Sequence, residues 1–299
     1  MNRKKEIKMG LNETYTLSNG VKIPKLGLGT WMIDNEAVVQ VVKDALDSGY
    51  RHVDTAEAYL NEEGVGRGIK ESGVNRENIF VTTKLEGDIK NYEEAVRAIN
   101  ESLERLDIDY IDLMIIHSPQ PWAKFREEDN HFFEGNLEAW RALEEAYEAG
   151  KLRAIGVSNF EQVDLENLIN NGKVKPMVNQ ILAHITNIPT DVIEYSQSQG
   201  IVVEAYSPIA HGAILDHPIV KESAEKYKVS TAQLSIRYVL QLDMVALPKS
   251  TNKAHMKLNA AVDFTISEED MNALNALPLI ETYGEDEDMP VFKSQYNNK

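Results

Sequence analysis

From about residue 26 to about residue 262, short runs of β-type apolar residues alternate with segments of helical period. Leu26-Gly-Leu28 precedes a helix predicted from Asp34 to Ser48 and stopped by Gly49. The run ending at Asp54 precedes a helix reaching about Ser72, with Gly73 as its stop. Ile79–Thr83 leads to a helix opened by Asn91-Tyr-Glu-Glu94, where Asn91 suits the N-cap. Tyr110–Ile116 is followed by a long polar loop and a helix over Leu137–Ala149. Arg153–Val157 leads to a helix from about Glu161, and Pro176–Asn179 to one near Thr190–Gln199. Ile201–Ala205 and Met244–Leu247 supply the last two strands. Such alternation, about eight times over, predicts a parallel sheet with right-handed crossovers.

An open, doubly wound sheet shares that alternation but places a Gly-rich phosphate turn after its first strand. Here the first strand runs into Gly27-Leu-Gly29-Thr-Trp31, which lacks the third glycine and the helix start. Gly64, Gly66 and Gly68 lie inside a helical segment at the wrong spacing and are read as close packing or loop geometry. The expected fold is therefore a closed (β/α)8 TIM barrel, one domain over residues 1–299. Before it, Thr14–Leu17, an Asn19-Gly20 turn and Val21–Ile23 predict a β-hairpin, and residues 1–13 are read as a flexible tail. After Ser267-Glu-Glu-Asp270 an amphipathic C-terminal helix is expected, then a tail whose acidic run, Glu285–Asp288, is read as solvated loop.

Charge narrows the partners. A net charge of −17 repels nucleic acid and anionic membranes, so neither is expected to bind. With no cysteine, thiolate nucleophiles and disulfides are excluded and a reducing compartment is permitted, so a soluble, cytoplasmic protein is expected. No apolar stretch approaches the roughly 20 residues of a membrane span. The basic segment Met1–Lys8 is not followed by an apolar one and is not read as a secretory signal.

In a parallel barrel the C-terminal strand ends converge on one mouth, where the chemistry is built. Asp54, Lys84 and His117 each close a strand run, and Tyr59 lies five residues past Asp54. An acid, an ammonium, a phenol and an imidazole brought together suit protonation of a carbonyl oxygen. A free phenol has a pKa near 10. An ammonium about 4 Å away at an effective dielectric of about 20 is worth roughly 4 kcal/mol. Lys84 is therefore expected to pull Tyr59 down toward working pH, with Asp54 holding Lys84 charged and His117 as a second donor. Other patterns fail on geometry. Tyr147 and Lys151 have a Tyr-x-x-x-Lys spacing, but the helix stop Gly150 lies between them. Gly156-Val-Ser158 lacks the second glycine of a nucleophile elbow, and none of the seven histidines has metal-site spacing.

With Gly27-Leu-Gly-Thr-Trp31, Gly49-Tyr-Arg-His-Val-Asp54-Thr-Ala-x-x-Tyr59, Thr83-Lys84, Ile116-His117, Gly156-Val-Ser-Asn-Phe160, Val178-Asn-Gln180, Ala205-Tyr-Ser-Pro208 and Leu247-Pro-Lys-Ser250, the chain resembles the aldo-keto reductases from about Thr14 to about Phe292. The resemblance implies an enzyme that reduces aldehydes or ketones with NADP(H), with Asp54, Tyr59, Lys84 and His117 as catalytic residues. It implies cofactor contacts from Gly29, Thr30, Trp31, Asp54, Ser158, Asn159, Gln180, Tyr206, Ser207, Pro208, Lys249, Ser250, Thr251, His255 and Asn259. Within that set, Ser158, Asn159 and Gln180 would meet the nicotinamide amide and Tyr206 would stack on its ring. Trp31, Tyr59, His117 and Trp122 would contact the small-molecule substrate, and the protein is expected to be a monomer. Two departures stand out. His255 and Leu258 occupy positions where the family usually carries Arg and Glu at the adenosine end, which leaves NAD(H) as the alternative cofactor. Ser118 replaces a common tryptophan, so either the pocket widens there or Trp122 fills the space. An NAD(H)-linked alcohol dehydrogenase and a non-catalytic NADP-binding subunit are the rival functions.

Overall fold

Two short strands precede the main sheet. β1 (Thr14–Thr16) and β2 (Lys22–Pro24) pair antiparallel around the Asn19-Gly20 turn, where Gly20 takes the positive φ the turn requires. The structure is a computed structural model and describes residues 10–126, 130–280, 283 and 289–292. The acidic run 285–288 and residues 1–9 lie outside the described residues.

Eight strands then follow in chain order: β3 (Leu28–Gly29), β4 (His52–Asp54), β5 (Phe80–Leu85), β6 (Leu113–Ile116), β7 (Ile155–Ser158), β8 (Val178–Leu182), β9 (Val202–Tyr206) and β10 (Val245–Leu247). Each pairs in parallel with the next. Parallel bridges Leu26–Ala246 and Gly29–Lys249 join the first strand to the last, so the sheet closes into a barrel. Between and after these strands run α1 (Asn35–Asp47), α2 (Glu62–Glu71), α3 (Tyr92–Leu106), α4 (Phe133–Glu148), α5 (Gln162–Asn171), α6 (Thr190–Ser198), α7 (Pro218–Tyr227), α8 (Thr231–Gln241), α9 (Lys253–Asn259) and α10 (Glu268–Asn275).

Helix starts follow local capping chemistry. Asp34, Asn91 and Ser267 each accept a backbone N–H in the first turn of α1, α3 and α10. Of the two readings of the α2 glycines, close packing is the one found. A Cβ on Gly64 would sit 2.0 Å from the Asn35 carbonyl oxygen, and one on Gly66 would sit 2.1 Å from that of Leu106. The helices flanking α2 therefore approach closer than any side chain allows.

Two expectations need correction. Residues 10–13 are not tail: Leu11 is buried against the core beside Gly49, and Glu13 pairs with Lys25 at 3.1 Å. The helix expected from Leu137 starts at Phe133, after Phe132 turns into the left-handed region. The stretch between β9 and β10 holds two helices, α7 and α8, the second started by a Ser230–Gln233 capping box.

Candidate active site at the barrel mouth

Asp54 ends β4, Lys84 is the penultimate residue of β5, and His117 follows β6, so three neighbouring strands deliver them to the same end of the barrel. Tyr59 arrives on a one-turn 3-10 segment, Glu57–Tyr59, that follows β4. Lys84 Nζ donates to Asp54 Oδ1 at 2.7 Å, to the Thr55 carbonyl at 2.8 Å and to the Tyr59 hydroxyl at 3.1 Å. All three ammonium protons thus have acceptors, which is what a buried lysine needs to stay charged. Burial alone would discharge Lys84, yet Asp54 and Tyr59 hold its pKa above the usual lysine value. The His117 ring meets Tyr59 edge-on at 5.8 Å between centroids. Burial and the Lys84 charge hold its pKa well below the usual histidine range, so the imidazole is neutral.

One sequence expectation is reversed. Tyr59 has its pKa raised, because burial outweighs the pull of Lys84 and Asp54 adds to the rise. The phenol meets an ammonium already paired with a carboxylate at 2.7 Å, so the net positive field is much smaller than a lone lysine would supply. Tyr59 is accordingly a protonated phenol at neutral pH.

Below this cluster lies a polar column that sequence inspection missed. Gln180 Nε2 donates to Asp54 Oδ2 and to Glu204 Oε2, each at 2.9 Å. Glu204 Oε1 lies 3.7 Å from His52 Nε2, which is 3.0 Å from the Thr82 hydroxyl. Burial is the main reason the Glu204 carboxyl is pushed up to about 8, with Asp54 adding to it, and burial holds His52 down at about 3. Both groups are therefore neutral at pH 7. The one sequence signal was a charged residue in mid-strand within Ile201-Val-Val-Glu-Ala205.

A cavity of about 570 Å³ opens above the cluster. Gly29, Thr30, Trp31, Asp54, Ser158, Asn159, Gln180, Tyr206, Ser207, Pro208 and Lys249 all line it, as do Tyr59, His117 and Trp122. Ser250, Thr251, His255 and Asn259 are not among its lining; His255 is exposed on α9, and Asn259 is buried at the end of that helix. Backbone geometry shapes the rim, since Asn159 and Ser207 both adopt positive φ. Tyr206 donates its hydroxyl to Asn159 Oδ1 at 2.8 Å, which fixes the ring at the cavity wall. Trp122 takes the space beside His117, with ring centroids 5.1 Å apart, and Ser118 is buried outside the cavity lining. Of the two outcomes expected from Ser118, infilling by Trp122 is the one found. Trp31 packs against His211 and Phe292, so the segment Met289–Phe292 forms part of the wall. Glu86, also unanticipated, lines the cavity and accepts from Trp122 Nε1 at 2.8 Å.

These residues fit a nicotinamide dinucleotide. The cavity joins a flat aromatic wall and buried amide side chains to Lys249, an exposed lysine whose ammonium suits a phosphate. A closed barrel with a protonated phenol, a charged lysine and a neutral imidazole at its mouth defines a class, the barrel oxidoreductases of carbonyl compounds. Residues 25–278 match the profile of the Aldo/keto reductase family. The chain is 42% identical over 284 residues to glyoxal reductase of Bacillus subtilis, covering 94% of this chain and 99% of that protein. It is 41% identical over 278 residues to 9,11-endoperoxide prostaglandin H2 reductase of Trypanosoma cruzi, covering 91% and 94%. An aldo-keto reductase of Bombyx mori, solved in complex with NADP, is similar with a TM-score of 0.82 at 34% identity, covering 94% of this chain and 98% of that one. The chain belongs to the aldo/keto reductase family and is an NAD(P)H-dependent oxidoreductase.

Proposed function

We propose that this protein reduces aldehydes or ketones to alcohols with NADPH, using Tyr59 as the proton donor. The observation that carries the assignment is Lys84 Nζ, bonded at once to Asp54 and to the Tyr59 hydroxyl in a buried site. When bound, the reduced nicotinamide supplies the hydride. Tyr59 supplies the proton, and burial keeps that proton on the phenol through neutral pH. As the phenol loses it, Lys84 stabilises the phenolate, and Asp54 keeps Lys84 charged for that purpose. His117, neutral and beside Tyr59, donates a second hydrogen bond to the substrate oxygen. With Nδ1 buried and unpartnered among the described residues, its N–H is best placed on the other ring nitrogen.

Gln180 has both amide protons directed at Asp54 and Glu204, which leaves its carbonyl oxygen as the acceptor for the nicotinamide amide. Asn159 and Ser158 complete that contact, Tyr206 stacks on the ring, and Ser207, Pro208 and Lys249 hold the phosphates. Ser250, Thr251, His255 and Asn259 serve the adenosine end, and Trp31 and Trp122 flank the substrate. The protein works as a monomer in the cytoplasm and binds no nucleic acid; the charge of −17 and the absence of cysteine support these assignments. No helix among the described residues is long and apolar enough to cross a membrane.

Tyr59→Phe tests the assignment. The variant keeps the ring and removes the proton, so kcat for a generic aldehyde should fall at least about 10²-fold while the Kd for NADPH changes little. Turnover within a few-fold of wild type would reject Tyr59 as the donor.

A further inference from the structure

We infer that Glu86 makes this active site select its carbonyl substrates by charge, favouring neutral and cationic compounds over those bearing a carboxylate or phosphate. The inference rests on the carbonyl-reductase assignment and adds a substrate class to it. Glu86 directly follows β5, two residues past Lys84, and so reaches the mouth beside Tyr59. Its Oε1 accepts from Trp122 Nε1 at 2.8 Å and from the Gly87 N–H at 2.9 Å, and the same indole lies against His117. One tryptophan ring therefore separates the carboxylate from the place where the substrate oxygen must sit.

Glu86 has no ion-pair partner among the described residues; burial raises its pKa, while the hydrogen bonds from Trp122 and Gly87 and the charge of Lys90 favour the carboxylate form. Asp54, Glu86 and Lys249 are its ionic lining residues together with no others among the described ones, the histidines aside. Asp54 is paired with Lys84. Lys249 lies past β10 beside Gly29 of β3, and β4 stands between that edge and β5. Nearby groups strengthen the negative sign: Asp88 accepts the Trp122 N–H at 2.9 Å, and Glu57 Oε2 lies 3.5 Å from the Glu86 N–H. Glu57 also pairs with Arg105 at 3.5 Å. The nearest lysine on the same loop, Lys90, donates to the Ser118 carbonyl and does not line the cavity. Trp31, Trp122 and Phe292 add apolar aromatic surface to the cavity wall. A partly buried carboxylate among such walls acts at an effective dielectric far below that of water. A substrate anion placed within about 8 Å of it is repelled and a cation attracted, each by at least about tenfold in affinity at an effective dielectric of about 20.

Glu86 could instead serve only as the anchor for Trp122, and Glu86→Gln separates the two roles. Glutamine retains an acceptor for the indole and removes the charge. Reduction of 4-nitrobenzaldehyde, 4-(trimethylammonio)benzaldehyde and 4-carboxybenzaldehyde with NADPH gives a cation-to-anion ratio of kcat/KM within each preparation. Comparing that ratio between proteins cancels both folded fraction and ring electronics. Glu86→Gln should lower it at least about tenfold, and Glu86→Lys should lower it further. A ratio that stays within about threefold in both variants overturns the inference. Binding of benzoate, benzyl alcohol and benzyltrimethylammonium to the wild-type protein, followed by tryptophan fluorescence, reads the same selection without turnover. The expected order of affinity is cation, neutral, anion, and benzoate binding as tightly as the cation overturns the inference even if no variant folds. Failure of the wild type to reduce even the neutral aldehyde would reject the carbonyl-reductase assignment instead, while the binding order still decides the charge selection.

Discussion

Glu204→Gln should make the stability of this barrel less dependent on pH. The Glu204 side chain is wholly buried, and its carboxyl is pushed up to about 8 from an ordinary 4.5, chiefly by burial. Between those two values the native state keeps a proton that the unfolded chain has released. Raising pH across that window therefore favours unfolding. The contribution is fully present below about 4.5 and is lost as pH rises through about 8, above which the native state also ionises. A rise from 4.5 to about 8 corresponds to at most about 5 kcal/mol, large beside the 5–15 kcal/mol by which such domains are stable. Glutamine is nearly isosteric, remains neutral, and can still accept from Gln180 Nε2. Urea unfolding of both proteins at pH 5, 6, 7, 8 and 9 gives a difference in which other titrating groups cancel. The variant should gain on the wild type steadily from pH 5 to 8, by several kcal/mol in all, and then run parallel. A difference that is constant with pH would refute the assignment of a protonated Glu204 in the barrel interior.

Gly66→Ala tests the packing of α2. The added methyl gains about 1 kcal/mol in helix propensity but meets the Leu106 carbonyl oxygen at 2.1 Å, so a net loss of about 2 kcal/mol or more is expected in urea unfolding. Equal or greater stability would show that α2 and α3 are not in close contact. His255→Arg tests cofactor choice at the exposed start of α9: a permanent forked cation there should raise the ratio of NADH to NADPH dissociation constants by about tenfold or more. A ratio unchanged in binding titrations would mean that residue 255 does not reach the 2′-phosphate.

Most elements were legible because their causes lie within a few residues of one another. The caps at Asp34, Asn91 and Ser267, the stop at Gly49, and the apolar runs at β4 to β7 need only local sequence. The site was legible for a related reason. Once strands are parallel and consecutive, residues at their C-terminal ends must meet, so Asp54, Lys84 and His117 could be placed together without knowing any distance. The start of α4 was missed because the left-handed residue that opens it is Phe132, where a Gly or Asn is the usual occupant.

What only the tertiary structure decided are sums over residues far apart in the chain. Barrel closure brings Leu26 to Ala246. The interior column depends on strand register, which sets Gln180 opposite Glu204 and aims it at Asp54, 126 residues away in sequence. The proton on Tyr59 is the clearest case. Sequence placed Tyr59 beside Lys84, but the sign of the shift depends on burial and on the carboxylate bonded to that lysine. Side-chain periodicity is written locally along a chain, whereas a buried group's charge state is set by everything within a few ångströms of it, and only the folded structure brings those groups together.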